Sequence, residues 1–510
     1  MSINNVSSYD DLIKKLTSEL YPKIAALSSP VLSRQENITH LRQSLPNIKG
    51  NRSPSKWYFF KLAGFFLPEL IARILTLFVV SKIFRIKKLP ENFLYIRSWL
   101  INGSFTPDGN FNDRYFSSLA QVLGGKFSVI TGITPVGYRY LLCNHKKIKK
   151  NKNCIVPIGL LNSIDLCNLL VDYLFSGLIK VRNEYYWSEG RNITRLINYH
   201  LLLDYLSFRT FHGFVEKFVT QKILEYNING YIYVYENQAW EKVSCYLINN
   251  RKVPLIGYQS SGFSKINSNF FYTKNQYYLK ILPNIILTTG KLYAKFFREN
   301  GCELVKLKPF AALRYRYSND GNKYVVKRPI LKNIGRILYA FSSNVSDHNL
   351  IIEYLKKIFG KSSVQVDLKF HPLNYSYKSS IKNLPFNFKF YNLNDNSISG
   401  VYDLVLFNDN SYGFDALFEG VKSCQLGLNV SEINDRFIYF SEWKHILETS
   451  DLISIRDQLE LGRYRKDFNY DSVNNYINLM YKFPDPEGKY AAELIFSLAG
   501  ARERLCSEHL

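Results

Sequence analysis

Four groups of residues in this chain have the types and spacing to do chemistry. Lys369-Phe370-His371-Pro372 closes a strand-like run, Val364–Phe370. Pro372 biases its predecessor toward extended backbone. The His371 imidazole is therefore held at a strand's carboxyl end, where doubly wound sheets bind ligands. There it can hydrogen-bond a phosphate, or protonate one that leaves. Asn408–Gly420 sets small amide and hydroxyl residues between a strand, Leu404–Phe407, and a helix start. Free N–H groups and the positive dipole end at such a start bind phosphate. Asn410 and Ser411 stand at that start, and Glu419 closes the helix. Ser342 and Ser343 hold the matching place behind the run Arg336–Phe341.

The other two groups carry carboxylates. Glu236 leaves the β-branched and aromatic run Gly230–Tyr235 as a helix begins, so it can bind an acceptor hydroxyl or take its proton. Trp240, four residues on, offers an apolar wall for a sugar ring, and Gln259 follows a further strand, Val253–Gly257. Arg97-Ser98-Trp99-Leu100 leads through Asp108-Gly109 to Asp113, which heads a predicted helix, Tyr115–Leu123. Each residue also has a plain structural reading. Asn, Ser and Asp are the ordinary N-caps, acidic groups near a helix start suit its dipole, and Trp240 fits a core equally well. Glu236, Asp113 and Asp108 all stay open as the base. Glu236 is preferred because it ends a stiff apolar strand, and rigidity favours catalysis.

Other chemistries lack their residues. No Gly-rich phosphate loop, HExxH, kinase signature or nucleophile elbow is present. Asp395 and Asp409 stand apart from acidic partners, so no DxD metal site is expected, and no cofactor. The seven cysteines include no CxxC pair, which disfavours a disulfide framework or zinc ribbon and suits a reducing compartment.

The elements that position these groups form two series of strand, loop and helix. The first runs from Phe93–Leu100 through Lys126–Thr131, Gly230–Tyr235, Val253–Gly257 and Ile285–Thr288. Between them, Asn162–Ile179 and a long Arg191–Tyr226 region read as helical, and Lys291–Asn300 as a helix stopped by Gly301. The second follows a polar break at Tyr317–Arg328. Two such series predict an α/β chain of two Rossmann-like doubly wound domains facing a central cleft. The expected organisation is a polar segment 1–55, an apolar and basic helical segment 56–92, a domain 93–325 and a domain 326–510 with a helical tail.

Composition limits the partners. With 46% apolar and 21% charged residues, the 510-residue chain is globular rather than disordered. Lys+Arg 66 against Asp+Glu 42 gives +24, which suits anionic substrates or an anionic membrane surface. Nucleic acid is not expected: the one dense basic run, Lys146–Lys152, has no interleaved aromatics and reads as a solvated loop. Residues 1–55 lack a signal-peptide core. Trp57–Phe84 is apolar but interrupted by Lys61, Glu69, Arg73 and Lys82, and basic residues follow it. That pattern predicts peripheral contact with the inner face of the cytoplasmic membrane, with a buried core helix as the competing reading and a span as the least favoured.

Together, Arg97–Phe116, Val234–Lys242, Ile256–Ser261, Gly290–Asn300, Lys369–Pro372 and Asn408–Gly420 resemble the bacterial surface-carbohydrate biosynthesis proteins of glycosyltransferase type GT-B, those of capsule, O-antigen and lipopolysaccharide. The His-Pro dipeptide and the later Ser loop look like the nucleotide-binding motifs of transferases that use CMP-activated sialic acid or Kdo. The resemblance implies that His371 contacts the CMP phosphate and that Ser411 lies in the loop holding phosphate or cytidine. Ser342, Ser343, Pro372, Asn410 and Glu419 fall in the same nucleotide-binding set, with Asp108, Trp240 and Gln259 on the acceptor side. It further implies an EC 2.4 enzyme, working without a metal on a nucleotide sugar and a lipid-linked or glycan acceptor. A UDP- or GDP-sugar transferase, a polyol-phosphate transferase or a non-catalytic assembly protein are the alternatives. The family's acidic base motif is matched only by Asp108-Gly109.

Overall fold

The computed structural model describes residues 56–507 with interruptions, the longer ones being 177–193, 263–269, 315–325, 327–334, 343–347, 392–397, 428–436, 441–445, 465–468 and 485–488. The expected polar segment 1–55 lies outside the described residues. The chain divides into two compact units: residues 1–260, 268–317 and 484–510 form one, and residues 261–267 and 318–483 the other.

Among the described residues the first unit is built on seven parallel strands: β1 (Phe93–Leu100), β2 (Ser128–Pro135), β3 (Cys154–Ile155), β4 (Ile228–Val234), β5 (Leu255–Gln259), β6 (Ile285–Thr288) and β7 (Lys306–Pro309). Their order is β3-β2-β1-β4-β5-β6-β7. β1 is therefore the centre from which the chain winds first one way and then the other, and the switch point lies between β1 and β4. The helices used below are α1 (Lys56–Ile83), α2 (Leu119–Leu123), α3 (His145–Lys150), α4 (Ser163–Ser176), α5 (Thr194–Leu206), α6 (Phe211–Ile223), α7 (Ala239–Asn250) and α8 (Lys291–Glu299).

Among the described residues the second unit has six parallel strands in the order β10-β9-β8-β11-β12-β13. These are β8 (Arg336–Ala340), β9 (Gln365–Lys369), β10 (Phe388–Phe390), β11 (Leu404–Phe407), β12 (Lys422–Leu426) and β13 (Ile446–Leu447). Its helices include α9 (His348–Phe359), α10 (Tyr412–Phe418) and α11 (Thr449–Glu460). Here the switch point lies between β8 and β11. The doubly wound α/β class read from the sequence is thus the class observed in both units. Near-continuous burial of β1, β4, β5, β6 and β11 follows from helices covering both faces of a parallel sheet.

The last helix, α12 (Tyr490–Ser507), corrects the boundary placed at 326–510. Tyr490, Leu494, Leu498 and Ala501 are buried with Leu94, Ile96, Ile232 and Ile256 of the first sheet, so the tail belongs to the first unit. Gly230 on β4 leaves room for it: a Cβ there would come within 2.7 Å of Leu498 Cδ2.

Three local expectations also change. The Arg191–Tyr226 helical region breaks into α5 and α6 at Phe208, whose φ of +59° no helix accepts. The Phe208 ring stacks on Phe66 of α1 at 5.0 Å, which gives the break its anchor. The predicted helix Tyr115–Leu123 begins only at Leu119, because Ser117 takes φ +50°. The basic run 146–152 largely forms α3 rather than a loop, with Ile148 buried and Lys146, Lys147, Lys149 and Lys150 exposed.

α1 has two faces. Leu70, Leu77, Val80 and, just beyond its end, Phe84 are buried at 6% exposure or less, against the 3₁₀ turn Pro157–Leu160, α4 and α5. Phe65, Leu67, Ile71, Leu75, Phe78 and Val79 point outward, 40–65% exposed. Gly64–Ile83 is long and apolar enough to cross a membrane by length and composition. Its charges are partly internal, with Arg73 Nη2 2.8 Å from Glu69 Oε1.

Candidate functional site

In the second unit the sequence-flagged residues gather at the carboxyl ends of β8, β9 and β11. Ala340, Lys369 and Phe407 share one row of the sheet, since Ala340 pairs with both of the others. Asn410 spans the switch point, its Nδ2 donating to Ala340 O at 2.8 Å while its Oδ1 accepts from Tyr412 N at 2.8 Å. Ser411 is the N-cap residue of α10 by position, but its hydroxyl makes no capping bond to the helix. Ser342 is buried at 4%, and its carbonyl lies 3.2 Å from Nε2 of the buried His348. Ser343 and Asp409 lie outside the described residues. His371 is half-buried; burial, then the neighbouring His348, pushes its pKa below the ordinary histidine value. Pro372 opens a 3₁₀ turn, Pro372–Ser380. Glu419 sits at the far end of α10, where its Oε2 accepts from Ile398 N at 2.8 Å.

Sequence reasoning named Lys369 within the His-Pro motif but gave it no role of its own. Its ammonium lies 4.3 Å from the Tyr391 ring centroid and 4.7 Å from that of Tyr412. Burial lowers its pKa, and the nearby Asp415 opposes that shift. The signal was its place: the last strand residue before Phe370-His371, one row inside the switch point.

In the first unit, β1 sorts two sets of groups to opposite faces of the sheet. Ser98 donates its hydroxyl to Asp113 Oδ1 at 2.8 Å, and the same oxygen accepts Tyr115 N at 2.8 Å and Phe116 N at 3.0 Å. Asp113 therefore caps the turn 113–117 rather than a helix. Its burial raises its pKa against the opposing pull of those bonds. Arg97, on the other face, pairs with Glu216 of α6 at 2.8 Å and stacks on Trp240. Trp240 is consequently no open wall: it is 5% exposed and covered by Arg97 and Trp99.

Glu236 is half-buried one residue after Tyr235 and accepts a hydrogen bond from Gln238 Nε2. Asn237 beside it takes φ +54°. The Glu236–Asn237 backbone N–H groups donate to the buried Glu241 carboxylate, at 2.8 Å from Asn237, which fixes the loop. Burial, then the Glu236 charge, pushes the Glu241 pKa well above its usual value. Tyr115 feels Glu236, Arg314 and Asp113, so the two leading carboxylates belong to one neighbourhood. Asp108 is exposed in a turn closed by Gly109 N to Thr106 O, with Gly109 at φ +81°. Gln259 is 1% exposed and its Oε1 accepts from Thr289 N and Thr289 Oγ1, a bond set internal to the sheet edge.

A cavity of about 310 Å³ opens beside the carboxyl end of β2, lined by Ile133, Pro135, Phe208, His212 and Glu216 among others. No local pattern announces it, because its walls come from segments distant in sequence, α1, β2 and α6 among them.

No protein-family model matches the chain, and no curated protein matches it by sequence. Among solved structures it is similar to UDP-GlcNAc 2-epimerase from Neisseria meningitidis bound to UDP-GlcNAc, at 9% identity over 80% of this chain and 100% of that one, with a TM-score of 0.42. It is similar also to the glycosyltransferase SnogD from Streptomyces nogalater, at 12% identity, 80% and 100% coverage and a TM-score of 0.42. CalG4, the calicheamicin glycosyltransferase, gives 10% identity, 81% and 99% coverage and 0.43. These likenesses are loose, and the fold assignment stands on the strand orders and registers of the two sheets.

Proposed function

We propose that the chain is a glycosyltransferase of bacterial surface-polysaccharide biosynthesis. It moves a sugar from a nucleotide-activated donor, CMP-linked Kdo or nonulosonate by preference, to a lipid-linked or glycan acceptor without a metal. The observation that carries this reading is the convergence of Lys369, His371, Ser342, Asn410 and Ser411 around the β8/β11 switch point, the position where doubly wound sheets take nucleotides. In this reading Lys369 supplies the cation for the donor phosphate. His371, kept neutral by burial, donates a hydrogen bond to the leaving phosphate. Ser342 and Ser411 offer hydroxyls. Glu236 takes the acceptor hydroxyl's proton, and Asp113 shapes the loop beside it.

The location proposed is the inner face of the cytoplasmic membrane. Leu70 to Phe84 packs along the domain over some four turns, which favours a helix lying on the surface over one crossing it.

Thermal shift with CMP, UDP and GDP tests the reading. A ligand at 100 times its Kd adds about 2.7 kcal/mol of stability. Stabilisation by CMP that Lys369→Ala abolishes supports the proposal. Stabilisation by UDP or GDP alone moves it to the other donor class, and none by any nucleotide refutes a transferase.

A further inference from the structure

We propose that the 310 Å³ cavity of the first unit holds the hydrocarbon chain of a phosphate-bearing lipid, with Arg73 of α1 on the phosphate. The inference rests on the lipid-linked acceptor reading above and assigns that acceptor's chain a place. The walls are mostly apolar, with Ile133 and Pro135 from β2, Val156, Phe208, and Val215 from α6, and Thr134 and Tyr138 add polar groups. The volume is about twice that of the roughly 150 Å³ cavity that binds benzene, so it takes a segment on the order of ten carbons. The interior carries no net charge. Glu216 is satisfied by Arg97 at 2.8 Å and Ser244 at 2.9 Å. His212 is open to the cavity and makes no hydrogen bond among the described residues.

The charge lies at Arg73, which lines the cavity and sits 4.8 Å over the Phe208 ring. Its partner, Glu69, is itself half-exposed, a weak pair that a phosphate can displace. Arg73 also ties the cavity to the surface that would deliver the lipid, because it belongs to the helix that shows Phe65, Leu67, Ile71 and Leu75 outward. α4 packs beside α1 and adds a second outward stripe, Ile164, Val171, Leu174 and Phe175, 41–70% exposed. Paired apolar stripes of this extent mark a membrane or partner surface, and Arg73 on the first of those helices lines the cavity.

The test is calorimetric titration of the full chain with geranyl phosphate, geraniol and inorganic phosphate. Gly137→Trp fills the cavity with little strain: Gly137 lines it, has an extended φ of −156°, and a Cβ there meets no atom within 4 Å. Val215→Trp is the second filling variant, and Arg73→Gln removes the cation. Geranyl phosphate should bind wild type at least about tenfold tighter than geraniol, and each filling variant should lose at least about tenfold for both. Arg73→Gln should bring the two ligands to the same affinity, and inorganic phosphate should not compete. Unchanged geranyl phosphate binding in both filling variants, no binding to wild type, or equal competition by inorganic phosphate overturns the proposal. Nucleotide thermal shift on the same proteins separates the readings. Lipid binding that follows the cavity without any nucleotide response sustains the cavity and sinks the transferase; a nucleotide response without lipid binding does the reverse.

Discussion

The Arg97 guanidinium lies 3.5 Å from the centroid of the Trp240 ring, joining β1 to the first turn of α7 across the switch point of the first sheet. The same guanidinium is ion-paired to Glu216, with both side chains at 5% exposure or less. One cation thus ties together β1, α6 and α7.

Arg97→Ala should destabilise the first unit by about 3–5 kcal/mol, because it strands the Glu216 carboxylate in the core. A paired replacement, Arg97→Met with Glu216→Leu, should recover most of that loss. Chemical denaturation followed by tryptophan fluorescence checks both. Equal stability of Arg97→Ala and wild type would show that the pair is not buried as described.

His371→Ala should lower sugar transfer on the order of 10²–10³-fold by removing a neutral hydrogen-bond donor from the leaving phosphate, with the melting temperature little changed because the ring is only half-buried. Steady-state transfer with the donor identified by thermal shift measures it. Near-normal turnover removes His371 from the chemistry.

Glu236→Gln should lose turnover while keeping nucleotide affinity, whereas Asp113→Ala should cost about 1–2 kcal/mol of stability by deleting a turn cap. Asp113→Asn keeps a capping oxygen and separates charge from shape. A dead Asp113→Asn beside a normal Glu236→Gln would transfer the base role to Asp113.

His212 should give the protein an acid-side weakness. Crowding by the surrounding cavity walls, then Arg97, lowers its pKa from 6.5 to about 4 in the fold, and the ring's opening onto the cavity lets solvent weaken that shift. Between those values the unfolded chain binds the proton and the folded one does not, so stability falls as pH drops from about 6.5 toward about 4. Above pH 7 both states are neutral and the effect is gone. Because Asp113 and Glu241, with raised pKa values, act in the opposite direction, the difference curve between wild type and His212→Gln is the measure. A flat difference over that window contradicts the assignment.

Gly159→Ala should loosen α1. A Cβ at Gly159 would come 2.0 Å from the Phe84 carbonyl oxygen, at the end of the docked segment. Limited proteolysis should cut the variant near Ile83–Lys88 faster than wild type. In membrane fractions of wild type, a high-salt or alkaline wash should release the protein; resistance to both would show that Gly64–Ile83 crosses the bilayer.

Much of this was legible in the sequence. Runs such as Gly230–Tyr235 and Leu404–Phe407 are long enough and β-branched or aromatic enough to be buried parallel strands, and their small-polar successors mark the ligand ends. Hence His371, Asn410, Ser411 and Glu236 could be named without coordinates. Local pattern also set the limits. It reports that a face is buried but not by what, so Trp240 read equally as an apolar wall or as core until Arg97, more than a hundred residues away, was seen to cover it.

Tertiary structure alone decided three things. It placed β4 beside β1 across more than a hundred intervening residues, which creates the first switch point. It sent α12 back to the first sheet, because an apolar helix stripe is satisfied by any complementary surface and the nearest in sequence is not the one it meets. And it opened the cavity between α1, β2 and α6, a volume defined only by how those three segments fail to fill the space among them. Side-chain types and their spacing are local and survive in the sequence; strand order, tail docking and empty volume belong to packing between distant segments, which no local pattern encodes.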